Sequence, residues 1–189
     1  MRLKDKVAVV VGAGQTPGAT IGNGRATALL FAREGAKVWA VDRDLASAQD
    51  TVALIEKEGG TAAAAAADIT DEAAVRKMVA GCVAKWGRID LLHNNVGLSL
   101  AGGDTVIEEI TPDAFDRVTQ INLRGMVITC KHVLPVMKKQ KSGSIVSISS
   151  LAVLESYPYV AYKTSKAGVV AMTEQIAYMY AADGIRANV

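Results

Sequence analysis

Short apolar runs and longer helix-spaced patterns take turns along the whole chain. Lys6–Val11 is almost entirely apolar and is closed by Gly12, the form of a strand buried on both faces. Asn23–Glu34 carries apolar residues at helical spacing and stops at Gly35, a helix C-terminus signal. Lys37–Val41 is the next strand, ending at Asp42, and Leu45–Glu58 is a helix stopped by Gly59-Gly60. Thr70–Trp86 reads as a helix with Thr70 as its N-cap and acidic residues in its first turn. Leu91–Val96 and Ser144–Ser149 are two more strand-like runs. Thr111-Pro112-Asp113 opens a long helical pattern reaching about Met137, with Thr as cap and Pro at the first helical position. A helix over Tyr162–Ala182 follows, then a stop at Asp183-Gly184 and the first residues of another strand.

One segment defies local propensity. Thr61–Ala67 is nearly all alanine, the best helix former. It lies between two helices, is bounded by Gly60 and Asp68, and is too short to hold as a helix alone, so it is assigned as a strand. Strand and helix then alternate throughout, which predicts a parallel sheet with helices on both faces. No internal repeat and no linker divides the chain, so residues 1–189 form one domain.

Composition narrows the partners. Lys+Arg 21 against Asp+Glu 19 leaves a net charge of +2, too balanced for a nucleic-acid surface. The first apolar run is far too short to span a bilayer. Cys82 and Cys130 cannot build a disulfide framework, and no Cys/His spacing matches a metal site. The expectation is a cytoplasmic protein in a reducing compartment, without metal, membrane or nucleic acid. Cys82, Cys130 and His93 are read as core residues, and His132 as a surface or packing residue. Lys138-Lys139-Gln140-Lys141 reads as a helix end complementing its dipole.

The candidate chemistry lies at strand ends. Gly12-Ala13-Gly14 follows the first strand, and Gly22-Asn23-Gly24 opens the next helix. A glycine-rich turn between strand and helix lets a pyrophosphate approach the backbone and rest on the helix N-terminus. The strict G-x-G-x-x-G spacing fails, because Pro17 stands where its third glycine belongs, and no Gly-Lys-Ser/Thr follows to make a Walker A loop. Asp42 ends the second strand, where an acid accepts ribose hydroxyls and repels a 2′-phosphate; Arg43 beside it could pair with that phosphate instead. Tyr162 and Lys166 stand four apart on one helix face. A phenol titrates near 10, and an ammonium beside it favours the phenolate, so such a pair can exchange a proton with an alcohol or carbonyl oxygen. Tyr159 and Lys163 match the same spacing.

Taken together these features resemble the short-chain dehydrogenase/reductases, in their single-domain branch, over the whole chain. Gly12, Gly22 and Gly24 fit the family's T-G-x-x-x-G-x-G loop, with Gly14 and Asn23 inside it. Asp68-Ile69 fits the pair that brackets adenine. Asn94-Asn95-Val96-Gly97 fits N-N-A-G, with Val for Ala. Ile121-Asn122-Leu123 fits the helix position of the catalytic Asn. Ser147-Ile148-Ser149-Ser150 fits the strand end bearing the catalytic Ser. Tyr162–Gly168 fits Y-x-x-S-K-A-G. Val11 replaces the usual Thr, Asn23 the usual Ile, and Gln15–Ile21 lengthens the glycine loop. Ser149 is the runner-up to Ser150.

The resemblance implies a doubly wound, Rossmann-like three-layer α/β/α fold. It also implies an NAD(P)-dependent oxidoreductase moving hydride between a nicotinamide and a secondary alcohol or ketone. Tyr162 would be the acid/base, with Lys166 favouring the phenolate and holding the nicotinamide ribose. Ser150 would hydrogen-bond the substrate oxygen, and Asn122 would hold a relay water. Gly12, Gly14, Gly22, Asn23, Gly24, Asp42, Arg43, Asp68, Ile69, Asn94, Gly97, Tyr162 and Lys166 would hold the cofactor, NAD before NADP. A homo-oligomer of dimer or tetramer form is expected. The chain stops before the family's substrate loop and last strand, and is read as a fragment or truncated product. The rivals are an inactive truncated product, a non-catalytic dinucleotide-binding module and, against the N-N-x-G and Asn122 motifs, an epimerase or dehydratase.

Overall fold

The computed structural model describes residues 1–16 and 18–189; the reading of Pro17 lies outside them. The strands are β1 (Val7–Val11), β2 (Lys37–Asp42), β3 (Thr61–Ala66), β4 (Leu91–Asn94), β5 (Gly143–Ser147) and β6 (Ile185–Asn188). The helices are α1 (Asn23–Arg33), α2 (Leu45–Lys57), α3 (Glu72–Trp86), α4 (Pro112–Thr119), α5 (Gly125–Gln140) and α6 (Val160–Tyr180).

All strand pairs are parallel, in the order β3-β2-β1-β4-β5-β6. The chain winds outward from β1 to β3, then crosses back through α3 to β4 and winds the other way. The reversal leaves a crevice beyond the carboxyl ends of β1 and β4, where open α/β sheets bind ligands. The register fixes that end: Val11 pairs with Val41 on one side and Asn94 on the other.

Both faces of the sheet are covered, and β1 shows it residue by residue. Val7, Val9 and Val11 pack with Val75, Cys82, Ile128 and Ile176 from α3, α5 and α6. Ala8 and Val10 point the opposite way, onto Ala28, Leu29 and Ile55 of α1 and α2. Three layers, α/β/α, result. The alanine run is a strand because it pairs along its whole length with β2, Lys37 with Thr61 through Asp42 with Ala66. Tertiary pairing overrides the helix propensity of alanine there.

Two local readings are corrected. Asp71, not Thr70, caps α3, its carboxylate accepting from Ala73 N and Ala74 N at 2.8 and 3.3 Å. The Thr70 hydroxyl is turned to Asp68 at 2.7 Å. The long helix after Thr111 is interrupted at Gln120–Arg124, where the backbone widens into a π turn before α5. Thr111 caps α4 as expected, accepting from Ala114 N at 3.2 Å with Pro112 at its start. Cys82, Cys130 and His93 are buried. Burial alone takes the Cys82 thiol up to about 12 and the His93 imidazole down to about 4, so neither is ionised at neutral pH. His132 stands on α5 with Nε2 3.0 Å from Glu72 Oε1, tying α5 to α3.

Candidate active site

The crevice at the sheet reversal is a cleft of about 1010 Å³. Its floor begins at the turn after β1. Gly12 has φ +81°, a left-handed conformation that favours glycine, and a Cβ there would press on Val96. A Cβ on Gly24 would run into the Gly12 carbonyl oxygen, so the start of α1 lies directly on the glycine turn. Gly22 is the N-cap of α1 and offers no side-chain acceptor, and the first turn holds no acid. By contrast α2 and α3 are capped by Asp44 and Asp71. The first amides of α1 therefore lack a side-chain partner and face the cleft beside Gly12, Gly14, Gly22, Asn23 and Gly24, the arrangement that suits a phosphate group.

The lengthened loop is closed by its own first residue. Gln15 Oε1 accepts from Gly22 N at 2.8 Å, while Nε2 donates to the carbonyls of Thr16 and Thr20 at 2.7 and 2.9 Å. Ser47 Oγ accepts from Gln15 N at 2.7 Å and anchors the loop to α2. Asp42 stands at the mouth. Its Oδ2 accepts from Gly14 N at 2.9 Å and its Oδ1 from Asp44 N at 3.1 Å, which fixes the carboxylate in the lining of the cleft. Arg43, Asp68 and Ile69 line the same end.

The opposite end gathers the proton-transfer candidates. Lys166 is 2 % exposed; its ammonium donates to the Ile148 carbonyl at 2.7 Å and lies 5.7 Å from the centre of the Tyr162 ring. Burial takes Lys166 down to about 8. Gly97 leaves room for that ammonium: a Cβ there would come within 3.2 Å of Lys166 Nζ. Tyr162 and Ser150 line the cleft with Lys166. Ser149 Oγ donates to the Lys166 carbonyl at 3.0 Å, committing its proton. Ser150 Oγ accepts from Ala152 N at 3.2 Å, which leaves its hydroxyl proton for an oxygen in the cleft. That difference favours Ser150 over Ser149.

Two expected residues are placed otherwise. Asn94 is 1 % exposed and belongs to the sheet interior, its Oδ1 accepting from the Thr129 hydroxyl at 2.8 Å. The neighbouring Asn95 lines the cleft instead and donates to the Gly12 carbonyl at 3.3 Å. Asn122 is fully buried in the π turn and does not line the cleft. Its Oδ1 accepts from Leu98 N at 2.7 Å, and its Nδ2 donates to the Leu98 carbonyl and to Ser165 Oγ at 2.8 and 3.0 Å. Ser165 in turn donates to the Tyr162 carbonyl at 2.8 Å. Asn122 thus ties the segment after β4 to the helix of Tyr162. Unforeseen in the sequence are Asp104, which holds the first turn of α6, and Tyr157, whose ring lies 5.6 Å from that of Tyr162.

An uncapped helix start beside a glycine turn, an acid at the end of β2 and a tyrosine–lysine pair share one crevice of an α/β fold, an arrangement that suits a dinucleotide and a proton transfer. Comparison with known proteins agrees. Residues 6–189 match the family described as short chain dehydrogenase. The chain is 36% identical, over all its length, to a 3-oxoacyl-[acyl-carrier-protein] reductase of Thermotoga maritima, spanning 73% of that protein. It is 35% identical over 99% of its length to an uncharacterized oxidoreductase of Bacillus subtilis, spanning 66% of it. Among solved structures, a short-chain dehydrogenase/reductase from Burkholderia xenovorans superposes with a TM-score of 0.93 at 41% identity, covering 99% of this chain and 73% of that one. An NAD+-bound xylitol dehydrogenase superposes at 0.91 with 34% identity, covering 100% and 70%. The chain belongs to the short-chain dehydrogenase family, a family of oxidoreductases, and spans about two thirds to three quarters of the length of these relatives.

Proposed function

We propose that the cleft holds NAD(H) and that the protein interconverts a secondary alcohol and its ketone. The observation carrying this reading is the buried Lys166 ammonium, 5.7 Å from the Tyr162 ring, in the same crevice as the glycine turn. The nicotinamide supplies hydride acceptance and donation when bound. The protein's residues do the rest. Gly12, Gly14, Gly22, Asn23 and Gly24 would take the phosphates, Asp42 the adenosine ribose, and Asp68 with Ile69 the adenine. The Lys166 ammonium, protonated at neutral pH, stabilises negative charge on the Tyr162 oxygen, which takes the alcohol proton in oxidation and returns it in reduction. Ser150 donates to the substrate oxygen as charge develops there.

NAD rather than NADP is favoured by the fixed Asp42 carboxylate, which would repel a 2′-phosphate. Ser150 and Tyr162 line the same cleft as the glycine turn, which supports a small-molecule alcohol or ketone as the substrate. A groove between α5 and α6, lined by Leu134, Met172, Ile176 and Met179, supports a homo-oligomer through that face. Among the described residues no helix is long and apolar enough to cross a membrane, and both cysteines are free. Those free cysteines favour a reducing, cytoplasmic setting.

The test is NADH consumption by the full-length protein across a panel of ketones, with light scattering on the same sample. Turnover on at least one ketone by an oligomer is expected. NADH binding without turnover on any member would favour the non-catalytic dinucleotide-binding module, and a clean monomer would remove the oligomer.

A further inference from the structure

Lys163 follows Tyr162 in the chain and forms the second tyrosine–lysine spacing with Tyr159, yet it does not line the cleft. Its ammonium donates to three backbone carbonyls: Ala152 and Glu155, each at 2.6 Å, and Val153 at 3.3 Å. These carbonyls belong to the 3-10 turn Leu151–Val153 and the chain just after it. Ser150 begins that turn, holding it with Oγ on Ala152 N. The last carbonyls of a short helical turn have no partner within it, and an ammonium carries three donors. Here all three are spent on one turn.

The consequence is geometric. Ser150 and Tyr162 sit on separate segments, and Lys163 joins the turn of one to the helix of the other. The other ties between these segments among the described hydrogen bonds, Ser149 Oγ on the Lys166 carbonyl and the Lys166 ammonium on the Ile148 carbonyl, lie before Ser150 and leave the turn after it to Lys163. We propose that Lys163 is a positioning residue for the reaction, setting the placement of Ser150 relative to Tyr162. The inference rests on the functional reading above. Lys163 does not line the cleft and spends its ammonium on backbone carbonyls, so its effect belongs in kcat and not in dinucleotide affinity.

Lys163→Met and Lys163→Arg in the full-length protein test this. Backbone amide exchange over residues 151–155 is read first, since it needs no activity. Lys163→Met should exchange faster there than wild type, with the rest of α6 unchanged. Its kcat should fall roughly 10- to 100-fold, the scale of a misplacement near 1 Å. The dissociation constant for NADH should stay within about twofold, and Lys163→Arg should recover part of kcat because a guanidinium still reaches carbonyls. Unchanged exchange over 151–155 would overturn the tie itself. Faster exchange with unchanged kcat, or a kcat loss matched by lost NADH affinity, would overturn the positioning role. A wild-type protein that shows no turnover would instead refute the functional reading, while the exchange result would still stand for or against the tie.

Discussion

The Asp104 carboxylate accepts hydrogen bonds from the backbone amides of Ala161 and Tyr162, at 2.9 and 2.8 Å, across 57 and 58 residues of sequence. α6 has no side-chain cap of its own at Tyr159, so a buried acid from the segment after β4 caps it from afar. The helix that carries Tyr162 and Lys166 is thereby anchored at the end where the chemistry sits. A negative group at a helix N-terminus also complements the helix dipole.

Asp104→Ala should therefore destabilise the fold by ~1–3 kcal/mol, a lost cap that leaves one buried and one half-buried amide without a partner. Denaturant unfolding measures it. Asp104→Asn keeps one acceptor oxygen and should cost clearly less. Equal stability of wild type and Asp104→Ala would show that water or another group replaces the cap.

Lys166 gives a pH signature. Its folded value lies at about 8, below the ordinary 10.5 of lysine. Below pH 8 both the folded and unfolded states hold the proton, and the cost of burying the charge is fully present. Between about 8 and 10.5 the unfolded state holds more protons, so stability rises with pH through that window, by ~3 kcal/mol. Lys166→Met should remove this rise, melt higher than wild type at pH 7 and lose turnover. Parallel pH–stability curves for the two proteins would contradict the assignment of the buried charge.

Much of this site was legible in the sequence, and the misses have physical causes. β1 and Gly12 stood out because a strand covered on both faces must be apolar throughout and then turn sharply. Tyr162 and Lys166 stood out because four residues bring two side chains to one helix face. The tandem Asn94-Asn95 could not be resolved from the sequence: strand alternation alone sends one amide to Thr129 and the other to the cleft. The cap of α3 slipped by one residue because Thr70 and Asp71 both suit an N-cap, and Asp68 claims the threonine hydroxyl. The π turn at Asn122 leaves no periodicity to read over so few residues. Asp104 was invisible because its partners are local amides of a distant helix, and backbone donors carry no sequence signal.

Cofactor choice follows from Asp42. NADH should bind at least about tenfold tighter than NADPH, a difference near 1.4 kcal/mol. Asp42→Asn, which removes the charge and keeps an acceptor for Gly14 N, should narrow the gap mainly by tightening NADPH. Fluorescence titration of both cofactors on both proteins decides it. Equal or tighter NADPH binding by wild type would assign the site to Arg43 and the 2′-phosphate instead.

The most direct measurement compares Tyr162→Phe and Tyr159→Phe in the full-length protein for turnover and NADH affinity together. Tyr162→Phe loses only the hydroxyl that moves the proton, so kcat should fall by ~10²-fold or more while NADH affinity stays within about twofold of wild type. Tyr159→Phe should keep turnover within a few-fold. Full turnover in Tyr162→Phe, or loss of turnover in Tyr159→Phe alone, would contradict the assignment of Tyr162 and Lys166 as the proton-transfer pair.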